Sequence, residues 1–178
     1  MLDKILFLVP LLILSVEASD KELTFSSNEN KLEVGISGEY CWEGKDSDKL
    51  ANALGFGVNV GYEVFDSWSV LARYKHWSGV KEGNLETDIS RYLLGLRYDF
   101  SLDKKATPYI LGALGYEDYS SSYVIHKDGN IYNIGLGYRR FISYRSSFFA
   151  EATYRNNYSV SDIKDSGAIF TAGVNFHF

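Results

Sequence analysis

From Leu32 to Phe178 apolar and polar side chains alternate with a period of two, and the alternation restarts eight times. The plainest instance sets Leu54, Phe56, Val58, Val60, Tyr62 and Val64 against Ala53, Gly55, Gly57, Asn59, Gly61 and Glu63. Successive side chains of a strand point to opposite faces, so the pattern demands sheet with one oily and one polar side. Alternating segments are predicted at 32–42, 53–64, 68–76, 91–100, 107–116, 132–139, 148–155 and 167–178. Short polar breaks at 65–67, 101–106 and 141–146 read as turns. The longer breaks at 43–52, 78–86, 117–128 and 156–166 read as loops. Asp128-Gly129 carries a hairpin signal, so the fifth and sixth strands are expected to project as a ribbon. The phase of strand five is open, because Tyr109, Leu111 and Ala113 compete with Ile110, Leu114 and Tyr116.

Alternation does not say whether the oily face points inward, as in a lipocalin, or outward into lipid. The polar face decides. Gly35, Gly55, Gly57, Gly61, Gly95, Gly135, Gly137 and Gly173 share it. A solvated convex surface has no reason to be so short of side chains, whereas a narrow eight-stranded lumen has room for only some of them. The same face carries Glu33, Glu39, Glu63, Asp99 and Glu151 with Arg73, Lys75, Arg91, Arg97, Arg139 and Arg155. Unpaired Lys or Arg on a lipid face costs roughly 2–4 kcal/mol at the midplane. These charges are therefore expected to be enclosed as ion pairs. Tyr40, Trp42, Tyr62, Trp68, Tyr74, Tyr98, Tyr138 and Tyr154 lie near strand ends on the oily face, as an aromatic girdle requires. The fold expected is an all-β, eight-stranded, antiparallel up-and-down transmembrane β-barrel, with short periplasmic turns and four longer extracellular loops.

The two ends agree with that destination. Residues 1–18 combine Lys4, an apolar run from Ile5 to Val16 and small residues at Val16 and Ala18. Twelve residues are too few to span a bilayer as a helix, which needs roughly 20, so a secretory signal is expected. Residues 19–31 are then a periplasmic lead-in and 32–178 the barrel. At the other end Thr171, Gly173, Phe176 and Phe178 are spaced as in the closing strand of bacterial outer-membrane barrels, and the chain resembles that superfamily, which includes the transmembrane domain of OmpA, OmpX and the opacity-type adhesins. The resemblance implies an outer-membrane location and recognition of the terminal strand by the barrel-assembly machinery. It also implies outer-membrane lipid and lipopolysaccharide as neighbours.

Other chemistries are weakly represented. With 18 basic against 23 acidic residues and a formal charge of −5, the chain has no electrostatic footprint for nucleic acid. The single cysteine, Cys41, makes no internal disulfide. Asp46 and Asp48 are too few for a calcium site, and no metal or cofactor is expected. His76-Trp77-Ser78 has the His-x-Ser spacing of outer-membrane lipid A deacylases, with Glu82 or Glu86 available to orient the histidine. That gives an enzymatic alternative to the leading expectation of a non-enzymatic surface barrel closed by ion pairs. A small-solute porin is a further alternative. The Tyr-rich stretch 116–123 and the loops are the candidate contacts for an extracellular ligand.

Overall fold

The computed structural model describes residues 31–43, 53–82, 85–100, 105–121, 129–157 and 166–178. Eight strands follow in order: β1 (Leu32–Glu43), β2 (Ala53–Phe65), β3 (Trp68–Glu82), β4 (Leu85–Asp99), β5 (Ala106–Ser121), β6 (Gly129–Ser143), β7 (Ser146–Asn157) and β8 (Ser166–His177). Each pairs antiparallel with its sequence neighbour, and β1 pairs with β8 to close the barrel. Closure leaves no strand edge with unpaired backbone groups facing lipid. The seam is finished by Phe178 N–H donating to Leu32 O at 2.8 Å and Leu32 N–H to Phe178 O at 3.2 Å. The β2–β3 connection is a two-residue turn in which Ser67 takes the left-handed conformation, φ 71°, that tight hairpins favour.

The register fixes the shape. One hydrogen-bonded row runs from Ala106 through Arg140, Phe148, Val174, Ile36, Val58, Tyr74 and Tyr92, and returns to β5 at Tyr116, ten residues further on. For eight strands that stagger gives a tilt of about 41° and about 2.5 Å of height per residue. From Leu32 to Trp42, ten steps of β1 climb about 25 Å, the height of an outer-membrane apolar band.

The expected strands are all present, with different limits at the loop end. The stretch expected as a loop at 78–86 is almost wholly strand: Val80, Lys81 and Glu82 pair with Thr87, Glu86 and Leu85 beyond an irregularity after Trp77. Residues 117–121 likewise continue β5, and 43, 156–157 and 166 extend β1, β7 and β8. Among the described residues the ladder that extends furthest toward the loops is therefore carried by β3, β4 and β5, and the expected continuation of β5 with β6 falls on 122–128, outside them. The β4–β5 ladder reaches Thr87↔Ser121, and the β5–β6 ladder is described as far as Glu117↔Gly129. Polar side chains there suggest loop, yet backbone pairing continues once a neighbouring strand is in place. Strand five also acquires its phase: Thr107, Tyr109, Leu111, Ala113 and Glu117 are inward and buried, while Ile110, Leu114 and Tyr116 are exposed on the wall. Residues 1–30, Asp46 and Asp48, and 122–128 lie outside the described residues.

Candidate functional site

The lumen is packed by matching large inward side chains to glycines on the next strand. Trp77 faces Gly55, Leu71 faces Gly61, Leu93 faces Gly115, Tyr109 faces Gly137 and Phe149 faces Gly173. A Cβ on Gly55 would lie 2.6 Å from Trp77 Cδ1, and one on Gly61 would lie 2.8 Å from Leu71 Cδ2. Cβ atoms do not approach that closely, so the glycines are the space that these side chains fill. At outward-facing Gly38 and Gly112 a Cβ would have nothing within 4 Å.

Three groups of charge are stacked along the axis. Nearest the turns, Arg97 Nη1 and Nη2 donate to Glu33 Oε1 and Oε2 at 2.5 and 3.0 Å, and Arg97 Nε donates to Asp99 Oδ2 at 3.0 Å. Arg139 joins both carboxylates, 3.1 Å from Glu33 and 3.3 Å from Asp99. His177 Nε2 lies 2.8 Å from Ser147 Oγ beside this group. In the middle, Arg73 forms a two-point pair with Glu151 at 2.6 and 2.7 Å, and Tyr109 Oη donates to the same carboxylate at 2.8 Å. Lys75 Nζ donates to Glu39 at 2.7 Å and to Thr171 Oγ1 at 3.1 Å, while Thr171 and Ser37 donate to Glu39 at 2.6 and 2.8 Å. Toward the loops, Arg91 and Arg155 both pair with Glu117, the latter at 2.7 Å. Tyr119 Oη also donates to Glu117. Isolated buried charge costs several kcal/mol, and pairing with added hydrogen bonds is what makes this interior tenable.

Ten of the eleven charged residues expected in the lumen enter these groups. Glu63 does not: it is half-buried at the turn-end mouth, bordered by Lys31, Val64, Phe65 and Asp66. Ser37 and Tyr119 also bond into the groups, and three further members are informative. Glu117 lies in a stretch that reads as loop, although its parity with Thr107 and Tyr109 and the cations Arg91 and Arg155 were signals for it. Tyr109 was hidden by the open phase of strand five. Thr171, expected to face the lumen as part of the terminal signature but not to join an ion pair, bonds Glu39 and Lys75. Gly173 of the same signature faces Phe149, while Phe176 and Phe178 point outward and are exposed.

The lumen is not uniformly polar. At the loop end Cys41, Ala53, Trp77, Ile89 and Ile169 form a buried apolar cluster with Tyr119 packed against it. Arg91 lies over the Trp77 ring, 4.3 Å from its centroid. The wall outside carries all eight girdle residues in two belts. Trp68 and Tyr98 touch in the turn-side belt with ring centroids 5.0 Å apart. In the loop-side belt Tyr74 is 5.3 Å from Tyr92, a ninth member that the strand-end reading leaves out.

His76 and Ser78 share the outward face, His76 half-buried and Ser78 exposed. The histidine is engaged elsewhere: Nδ1 lies 3.1 Å from Ser90 Oγ, which is 3.3 Å from Tyr74 Oη, and its ring packs on Phe56 at 5.4 Å. Glu86 is placed only in the ladder, opposite Lys81. Among the described residues, no three His, Cys, Asp or Glu side chains converge as a metal site requires.

Comparison with known proteins agrees with this geometry. A family model described as outer membrane protein beta-barrel domain matches residues 6–178. Curated proteins give no match. Among solved structures, Neisserial surface protein A superposes with a TM-score of 0.65 at 15% identity, over 83% of this chain and 96% of that one. The N-terminal barrel of Pseudomonas aeruginosa OprF gives 0.59 at 19%, over 84% and 98%. Ail, the attachment invasion locus protein of Yersinia pestis, gives 0.51 at 18%, over 84% and 97%.

Proposed function

The chain belongs to the outer membrane protein β-barrel domain family and is a protein of the bacterial outer membrane, and from that premise we propose that it is a non-enzymatic surface barrel closed by its own side chains. The observation that carries this reading is the stacking of the Glu33–Arg97–Asp99–Arg139, Arg73–Glu151 and Arg91–Glu117–Arg155 groups, with an apolar cluster at the loop end. An ion crossing the lumen has to displace paired charge at every level and then pass an apolar constriction. Each step is unfavourable by several kcal/mol.

The work is then done on the two outer surfaces. The wall meets outer-membrane lipid and lipopolysaccharide through its two aromatic belts. The long connections emerge together at the end opposite the short turns, and they supply envelope stability, adhesion or contact with an extracellular ligand. Thr171, Gly173, Phe176 and Phe178 offer the terminal strand to the barrel-assembly machinery. Single-channel recording in planar bilayers tests the closed lumen. The expected trace has no stable conductance. A steady large conductance that disappears in Arg73 or Arg97 variants would establish a porin instead.

A further inference from the structure

We propose that the turn-end rim of β5, β6 and β7 is a headgroup site for an anionic phospholipid of the inner leaflet, formed by Arg140 with Arg145 and Lys105. It rests on the orientation proposed above, with the short turns at the periplasmic face. Among the described side chains, Arg140 is the only Lys or Arg on the outward face of the strands. It lies two residues beyond the girdle residue Tyr138, beside Phe148 in the β6–β7 register. An outward Arg costs roughly 2–4 kcal/mol at mid-membrane and about 0–1 kcal/mol near the interface. At this height its stem can run along the wall while the guanidinium reaches the phosphate level.

Two further cations come from the adjoining turns. Lys105 immediately precedes Ala106, which pairs with Arg140. Its carbonyl accepts Phe141 N–H at 2.8 Å, and the Arg145 carbonyl accepts His177 N–H at 2.9 Å. Arg145 N–H donates to Ser143 Oγ at 3.2 Å, and that hydroxyl is 2.7 Å from Ser146 Oγ. The backbone carrying Lys105 and Arg145 is therefore held in place before a ligand arrives, which lowers the ordering cost of binding. Across the barrel the rim has the opposite balance, with Glu63 and Asp66 near a single Lys31. Among the described residues positive charge is concentrated in one sector, so the geometry favours one headgroup site over a diffuse ring. A guanidinium presents parallel N–H donors that match phosphate oxygens, and Tyr138, Phe148 and Tyr144 offer aromatic surface to the acyl chains.

The test refolds the protein in vesicles of equimolar phosphatidylglycerol and phosphatidylcholine, extracts it in mild detergent and counts retained lipids by native mass spectrometry. Wild type is expected to retain phosphatidylglycerol preferentially. R140Q combined with R145Q should lower that retention about fivefold, a loss on the scale of one charge-assisted contact. K31Q, in the opposite sector, should leave it unchanged. K105Q/R145Q alters only turn residues and should lower retention even if Arg140 variants fold poorly. Equal retention of the two lipids by wild type would overturn the proposal, as would retention that survives K105Q/R140Q/R145Q or a preference for added lipid A. Heat-modifiable gel mobility, measured on the same samples, reports the barrel itself. Conductance has no part in the readout, so an open pore would leave this result standing.

Discussion

Arg73 and Glu151 allow the enclosed-charge argument to be tested as a number. They lie in the middle of the lumen, with side chains 8% and 1% exposed, and share two hydrogen bonds of 2.6 and 2.7 Å. With charge centres about 4 Å apart and an effective dielectric near 20, their attraction is about 4 kcal/mol. Removing one partner forfeits that attraction and leaves the other charge buried. Arg73→Met and Glu151→Leu are each expected to cost about 3–5 kcal/mol, within the range for broken buried pairs. The double variant replaces both charges by apolar groups of similar length and should lie within about 2 kcal/mol of wild type. The resulting coupling energy, the two single costs together less that of the double, is at least about 4 kcal/mol. Urea unfolding in detergent or vesicles, followed by gel mobility, measures it. Salt from low to high concentration should change it little, because a pair with this exposure is poorly screened. Two single variants that each cost under about 1 kcal/mol, and add in the double, would refute the reasoning. The lumen charges would then be hydrated rather than held by one another.

The glycine pairing predicts opposite signs on the two faces. Gly61→Ala should destabilise the barrel by about 2 kcal/mol or more because its Cβ meets Glu33 Cγ at 2.6 Å, whereas Gly38→Ala and Gly112→Ala should be neutral or gain about 0.5 kcal/mol in the same unfolding assay. Phe178→Ala keeps the backbone bonds to Leu32 and removes only an outward ring; its yield in the outer membrane is expected to fall while in vitro stability changes by less than about 1 kcal/mol. Expression of wild type, H76A and S78A should give identical lipid A acylation by mass spectrometry, and a wild-type-specific loss of an acyl chain would revive the esterase reading.

The strand count, the pairing order and the direction of the oily face were legible because lipid imposes them on every outward position. Val58, Ile134 and Leu136 have no alternative, and each alternates with a glycine or a polar residue. Strand five was illegible for a physical reason. Its inward face holds Tyr109, Leu111 and Ala113, as apolar as its outward face, because glycines on the neighbouring strands leave room for them. Gly137 accommodates Tyr109, and Gly135 stands opposite Leu111. Those pairings depend on the register between strands, which no single strand encodes. The charged residues were legible as a set and illegible as partners for the same reason: Arg73 and Glu151 are 78 residues apart, and Thr171 meets Glu39 across 132.

The glycines and the ion pairs are two consequences of the same geometry. A stagger of ten across eight strands gives a lumen whose radius, measured to the backbone, is about 8 Å. Two facing arginines and their carboxylates fill that width, so charge on one strand must find its partner on another and cannot remain beside a column of water. Glu39, for example, binds Lys75 from β3 and Thr171 from β8. Widening the space at one level does not open a path. Replacing Trp77 by a small residue would thin the apolar cluster, yet Arg91, Glu117 and Arg155 lie beside it and Arg73 with Glu151 lies below. The closure proposed above therefore does not hang on a single gate. Among the described residues the same crowding fills the middle of the lumen with side chains, which supports the proposal that the barrel acts through its loops and its lipid-facing wall.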